Sequence, residues 1–144
     1  MNITLTSNEK KQISLAIERA ESQTSGQIRV HFSYLKTEQE TMPAAQALFV
    51  KLSMHQTIEH NAIFLYLNPV ARKFSVFGDE SIHQKVGQGF WEELTAEVSR
   101  CIHDQSVLAG TVLAIEKIGQ ALKQYYPEEQ VRRNELSDEL SESE

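Results

Sequence analysis

The sequence holds one cysteine, Cys101, so no internal disulfide can form. At 144 residues it does not need one. A chain of that length buries roughly two thirds of its unfolded surface in a single domain. Long apolar runs are also missing. The longest is Ala62 to Leu67, far short of the ~20 residues a membrane helix needs. The opening MNITLTSNEKKQ has no basic start followed by an apolar stretch, so it does not read as a signal peptide, and neither end carries a lipidation box. These absences predict a soluble cytoplasmic protein with no membrane insertion. A surplus of basic residues is missing as well: the formal net charge is -6. Much of it sits after Pro127, where seven acids face two bases, which leaves residues 1 to 126 near neutral. Phosphate-backbone binding needs clustered Lys and Arg, so nucleic acid is excluded as a partner. There is no internal repeat.

The periodicities that are present alternate between helix and strand. Thr6 and Glu9 have capping-box spacing, and Ile13, Ala16, Ile17 and Ala20 follow at helical period. That predicts a helix over about 8 to 23, stopped by Gly26. From Gln27 to Tyr34 apolar and polar residues alternate, with Ile28, Val30, Phe32 and Tyr34 on one face and Gln27, Arg29, His31 and Ser33 on the other. Thr41-Met42-Pro43 reads as a cap and first turn. Ala44, Ala47, Leu48 and Leu52 continue as a stripe to about Ser53. Asn61 to Leu67 is apolar on both faces, the pattern of a strand covered from both sides. Asn68-Pro69 breaks it, and Lys73 to Phe77 resumes as the return strand of a hairpin. After Gly78 all is helical: Ser81 to Val86, Gly89 to Ile102, and a longer helix capped by Ser106 that ends at Tyr126-Pro127. The tail from 128 to 144, closing on LSDELSESE, is expected to be disordered or a frayed helix. Its removal should leave the fold intact.

Strand, crossover helix and strand make a βαβ unit, most simply parallel and right-handed. The third strand returns antiparallel. The expected fold is α/β, with a three-stranded mixed sheet, flanking helices and a domain over 1 to 127. This topology brings Thr24–Gly26, Met54–Asn61 and Gly78–His83 to one edge of the sheet. Three of the five histidines collect there, with many polar groups.

The chemistry at that edge is incomplete. His55, His60 and His83 with Glu59, Asp79 and Glu80 could supply metal ligands, yet no HExxH or Cys/His spacing is present. The same residues could simply cap helices and solvate loops. Asp79, after a strand and before a helix, suits a cation ligand, a general base or an N-cap. Gly78 suggests a turn of positive φ. Gly87 and Gly89 mark a break between helices, either an anion approach or a corner packed by Phe90 and Trp91. Cys101 lies on an apolar stripe and fails the phosphatase pattern, because Val107 stands where arginine would; it reads as a buried structural thiol. His31 and Arg29 either line a groove or lie beneath a covering helix. No G-x-S-x-G elbow occurs.

Four segments in order, TSGQIRVHFSY, MHQTIEHNAIFLYLN, RKFSVFGDESIHQKVGQGFWEEL and LAGTVLAIEKIGQAL, resemble the TPM domain family, in its short bacterial cytosolic branch. The resemblance runs from about Ser7 to Pro127. It implies a three-layer α/β/α sandwich with a small mixed sheet and three or more flanking helices. Some family members are described as thylakoid lumen acid phosphatases, others bind calcium, and others are membrane-tethered accessory proteins. This sequence lacks the Asp-x-Ala stretch before the first helix, and Gly78–His83 replaces the family's Gly-x-Gly-Leu-Glu turn. By resemblance, Asp79 and Glu80 are the positions for a divalent cation, calcium or magnesium. Two functions follow as expectations. One is a binding or accessory module that holds a protein partner through the histidine-rich edge or the exposed sheet margin. The other is a divalent-metal-dependent acid phosphatase or other phosphoester hydrolase, with His83, His55 and Asp79 as catalytic candidates and Arg29 or Lys85 neutralising phosphate. A homo-oligomer through the strand margin or the apolar helices is compatible with either.

Overall fold

The structure, a computed structural model, describes residues 5–36, 40–127 and 140–143. Among these described residues five helices flank one sheet: α1 (Ser7–Glu21), α2 (Met42–Lys51), α3 (Glu80–Val86), α4 (Gln88–Asp104) and α5 (Val107–Tyr125). The strands are β1 (Gln27–Ser33), β2 (Ala62–Asn68), β3 (Lys73–Gly78) and β4 (Leu140–Ser143), in the order β3-β2-β1-β4. A 3-10 turn at Met54–Gln56 follows α2.

β1 and β2 run parallel, with Gln27 opposite Ala62 and Phe32 opposite Leu67. β3 returns antiparallel to β2, with Ile63 opposite Gly78. The βαβ unit and hairpin are as the periodicity predicts. Among the described residues, however, the sheet has four strands, not the expected three. Leu140–Ser143, inside the stretch expected to lack structure, adds to β1 in parallel, with Val30 opposite Leu140 and Ser33 opposite Ser143. Leu-Ser-Glu-Ser is short and polar, so its own pattern does not announce a strand; the open edge of β1 supplies the pairing. Residues 128–139, the rest of that expectation, lie outside the described residues.

Two apolar layers hold the sandwich. Ile28, Val30 and Phe32 of β1, Ile63, Leu65 and Leu67 of β2, and Val76 of β3 meet α1, α3, α4 and α5 on one face. On the other face Ala62, Phe64 and Tyr66 meet Ala45 and Phe49 of α2 and Met54 of the 3-10 turn. Every residue of β2 is buried, as a strand covered from both sides requires. Every residue of β1 is buried too, Arg29 and His31 included. The stripe of α2 falls one residue from its expected place: Ala45 and Phe49 are buried, Ala44 and Leu48 only half so. Phe49 meets Phe77 edge-on at 4.8 Å.

The caps explain where the helices start. Thr6 and Glu9 form a reciprocal capping box at α1. Ser106 Oγ accepts from the Ala109 N–H at 3.0 Å to open α5. Thr41 differs: it precedes α2 but makes no side-chain cap, and its hydroxyl bonds to Ser75 on β3 instead. α2 is thereby tied to the strand nearest the candidate site.

Candidate functional site

The start of β1, the start of β2 and the end of β3 do lie along one edge of the sheet. There Ser25 donates from its hydroxyl to Glu59 Oε1 at 2.9 Å, and Asn61 donates to Ser25 Oγ at 3.5 Å. The segment before β2 also carries a left-handed residue, His60, at φ 52°. Its carbonyl accepts from the Ser81 N–H at 3.1 Å, and Ala62 accepts from the Asp79 N–H at 2.9 Å. These two bonds carry the β2–β3 ladder past the strand ends and fix Asp79 beside His60.

Asp79 is buried. Its Oδ1 accepts from the Glu80 N–H at 2.7 Å, so it is the N-cap of α3. Oδ2 lies 3.4 Å from His60 Nδ1, within ion-pair distance but outside hydrogen-bond geometry. Gly78, before it, does not have a positive φ; that expectation is corrected by the packing. A Cβ at 78 would meet the Trp91 ring at 2.5 Å, so glycine is required there for close approach. Gly87, between α3 and α4, has the positive φ, at 79°. At that corner Phe90 and Trp91 meet edge-on at 5.1 Å, the packed arrangement among the two expected. The Trp91 indole N–H donates to His83 Nδ1 at 2.9 Å, which leaves the proton of a neutral His83 on Nε2.

A cleft of about 740 Å³ opens along this side of the sheet. β3 forms its floor, with Val76, Phe77 and Gly78. Met42 and Gln46 of α2 form one wall, and Trp91, Thr95 and Ala96 of α4 the other. Asp79, Glu80 and His83 line one end together. The structure therefore brings three of the four expected site residues to one cleft. His55 is not among its lining residues. It sits in the 3-10 turn with Nδ1 buried and without a hydrogen bond among the described residues. His60, not His55, stands beside Asp79. Arg29 and Lys85 do not line the cleft either: Arg29 is buried on β1, and Lys85 lies 5.7 Å over the Tyr126 ring.

Calcium takes six to eight oxygen ligands and magnesium about six. Asp79 and Glu80 offer two carboxylates, and one oxygen of Asp79 already caps α3. Among the described residues no group of three or more His, Cys, Asp and Glu comes together to hold a metal ion. Asp79 and Glu80 by themselves would supply only part of either ion's coordination shell. The residues that sequence reading missed are the walls. Met42, Gln46 and Glu92 have no local motif; only packing of α2 and α4 on either side of β3 brings them together.

A second polar cluster lies at the far side of the sheet. His31 is buried, and its two ring nitrogens bond to Ser141 Oγ at 2.8 Å and Ser143 Oγ at 2.7 Å. It stacks on Tyr66 at 5.5 Å. Arg29 and His31 are both buried, and the His31 partners are serines of β4. Tyr34 donates to Glu142 Oε2 at 2.8 Å, and Lys10 Nζ pairs with Glu142 Oε1 at 2.8 Å. Burial, with the Glu142 bond, pushes the Tyr34 hydroxyl up to about 12. Lys10 in turn lowers Glu142 below the usual carboxylate value. Cys101, expected to be buried, is only half-buried on α4. No helix among the described residues is long and apolar enough to cross a membrane.

Comparison with known proteins agrees with this architecture. The BA42 protein of the psychrophilic bacterium Bizionia argentinensis is 31% identical with a TM-score of 0.88, over 99% of this chain and 98% of that one. The N-terminal domain of a Corynebacterium glutamicum protein shares the fold at 12% identity and a TM-score of 0.64, over 91% and 81% of the two chains. An N-terminal domain from P. gingivalis does so at 11% and 0.68, over 85% and 78%. No protein of curated function matches. The model of the TPM domain matches residues 2–132, nearly the whole sandwich. The chain belongs to the TPM domain family.

Proposed function

We propose that this TPM domain is a binding or accessory module that holds a protein partner in the cleft beside β3. The observation that carries the reading is the cleft itself, about 740 Å³ between α2 and α4 with apolar walls and a polar end. Met42 is exposed in one wall, and Trp91, itself buried, backs the other, apolar surface of the kind that interfaces favour. The groups that would perform chemistry are partly engaged or apart: Asp79 Oδ1 caps α3, His83 Nδ1 accepts from Trp91, and His55 and Arg29 do not line the cleft.

The test is site-specific photo-crosslinking from Gln46, on the exposed wall, in extract of the source cells. A discrete adduct that disappears in Glu80→Lys and His83→Ala is the expected result. An adduct pattern indifferent to both substitutions overturns the reading. The competing reading is a metal-dependent phosphoester hydrolase. A thermal-shift titration with Ca²⁺ and Mg²⁺, on the natural chain and on Asp79→Ala, decides between them. At a hundredfold excess over its dissociation constant, an ion binding only the folded state adds about 2.7 kcal/mol. A shift lost in Asp79→Ala, joined by phosphatase turnover lost in the same variant, would replace the binding module with the hydrolase.

A further inference from the structure

The outer edge of β3 says what kind of partner suits the cleft. The bonds from Asp79 to Ala62 and from Ser81 to His60 mark two bonded pairs of the β2–β3 ladder. Bonded and non-bonded pairs alternate along an antiparallel ladder. With Phe64 opposite Phe77 and Tyr66 opposite Ser75, the backbone groups of Ser75 and Phe77 face β2. Those of Phe74, Val76 and Gly78 face outward. Among the described residues β3 is the last strand of the sheet on this side. Among the described residues no backbone hydrogen bond reaches those outward groups. The opposite margin of the sheet is different, since β4 already pairs with β1. An open edge is a template for another strand.

This edge is the floor of the cleft, with Val76 and Gly78 between the two helical walls. From Phe74 to Gly78 it spans roughly 14 Å, enough for a strand of about five residues. The charges at hand select the occupant. Asp79, Glu80 and Glu92 line the cleft, with neither lysine nor arginine among its lining residues. The protein's own acidic C-terminal segment would be repelled there, and so would the same carboxylates of a second copy.

Resting on the binding reading above, we infer that the cleft takes an extended, lysine- or arginine-bearing peptide segment of a partner, by strand addition to the free edge of β3. The backbone of the segment bonds to Phe74, Val76 and Gly78. Its side chains alternate between the two walls: the basic set faces α4 and approaches Glu92 and the Glu80 end, and the apolar set faces α2 and lies against Met42.

Trp91 is the single tryptophan of the chain, so its fluorescence reports on the cleft. The probes are the hexapeptide Lys-Val-Lys-Val-Lys-Val, its Glu-Val counterpart, and two versions of the basic peptide N-methylated on alternate amides in opposite registers. Strand addition expects the basic peptide to shift the Phe74, Val76 and Gly78 amide resonances and the Trp91 emission. The acidic peptide should bind about tenfold more weakly, with Glu92→Lys reversing the preference. One methylation register should weaken binding about tenfold or more while the other leaves it nearly intact, because only alternate amides of an added strand face β3. Equal binding in both registers overturns strand addition and leaves the cleft as a binding site. Shifts at β3 that grow with protein concentration alone make the occupant a second copy and overturn the inference. No peptide response up to the solubility of the probes overturns it too, while the crosslinking from Gln46 judges the binding module separately.

Discussion

Gly78 shows how a single residue shapes the cleft. Its missing Cβ lets the Trp91 ring lie against the end of β3, and the indole N–H then reaches His83. Gly78→Ala would drive a methyl to within 2.5 and 2.7 Å of two ring carbons. Overpacking of that kind costs about 1–3 kcal/mol, measurable as a lower urea midpoint. Trp91→Phe removes the offending part of the ring, so the double variant should lose less than the two single losses added together. Additive losses would mean that the ring moves away freely. Ser75 makes a related point. Its hydroxyl bonds to Thr41 and anchors α2 over β3, although Ser75 belongs to no motif and Thr41 reads in sequence only as a helix cap.

At the scale of elements, β4 is held to the sheet by ionisable side chains as well as by its backbone. Glu142 accepts from both Tyr34 and Lys10. Its folded value is lowered from 4.5, Lys10 being the first cause. A lowered carboxylate contributes stability above its unfolded value and loses it as pH falls through the folded one. β4 should therefore loosen below pH 4.5, seen as falling hydrogen-exchange protection of its amides after correction for intrinsic rates. Lys10→Met should remove most of that dependence; protection unchanged by both acid and the substitution would count against the pairing. Tyr34 acts at the other end of the scale. Its folded value is raised from 10.0 to about 12, so its contribution holds below 10.0 and is lost as pH climbs toward 12.

For the whole molecule, the C-terminal strand changes what truncation should do. Residues 128 to 144 are mostly polar and read as dispensable, but Leu140–Ser143 closes one margin of the sheet and satisfies both ring nitrogens of buried His31. Deleting residues 140 to 144 removes those bonds and opens the β1 edge. Each lost hydrogen bond to a buried group costs about 1–3 kcal/mol. The melting temperature should fall by roughly 5–20 °C, and the truncated chain should associate more readily through the uncovered strand. A melting temperature unmoved by the deletion would show that β4 adds nothing to the folded state.

Local pattern determined a good deal of this protein by itself. Thr6 with Glu9 and Ser106 mark helix starts through bonds between near neighbours in the chain. The double-sided apolar run of β2 and the alternation in β3 announce buried and returning strands, because burial of apolar surface acts on residues of one short segment. With those elements in order, one parallel crossover and one hairpin bring Asp79, Glu80 and His83 to a single edge. What only the tertiary structure decided involves residues far apart in sequence. β4 is a strand because β1 offers an unpaired edge, not because Leu-Ser-Glu-Ser favours one. Gly78 is glycine because of a ring thirteen positions on, not because of its own φ. The cleft exists because α2 and α4 pack on opposite sides of β3, and no local periodicity encodes which faces of two distant helices will look at each other across a strand.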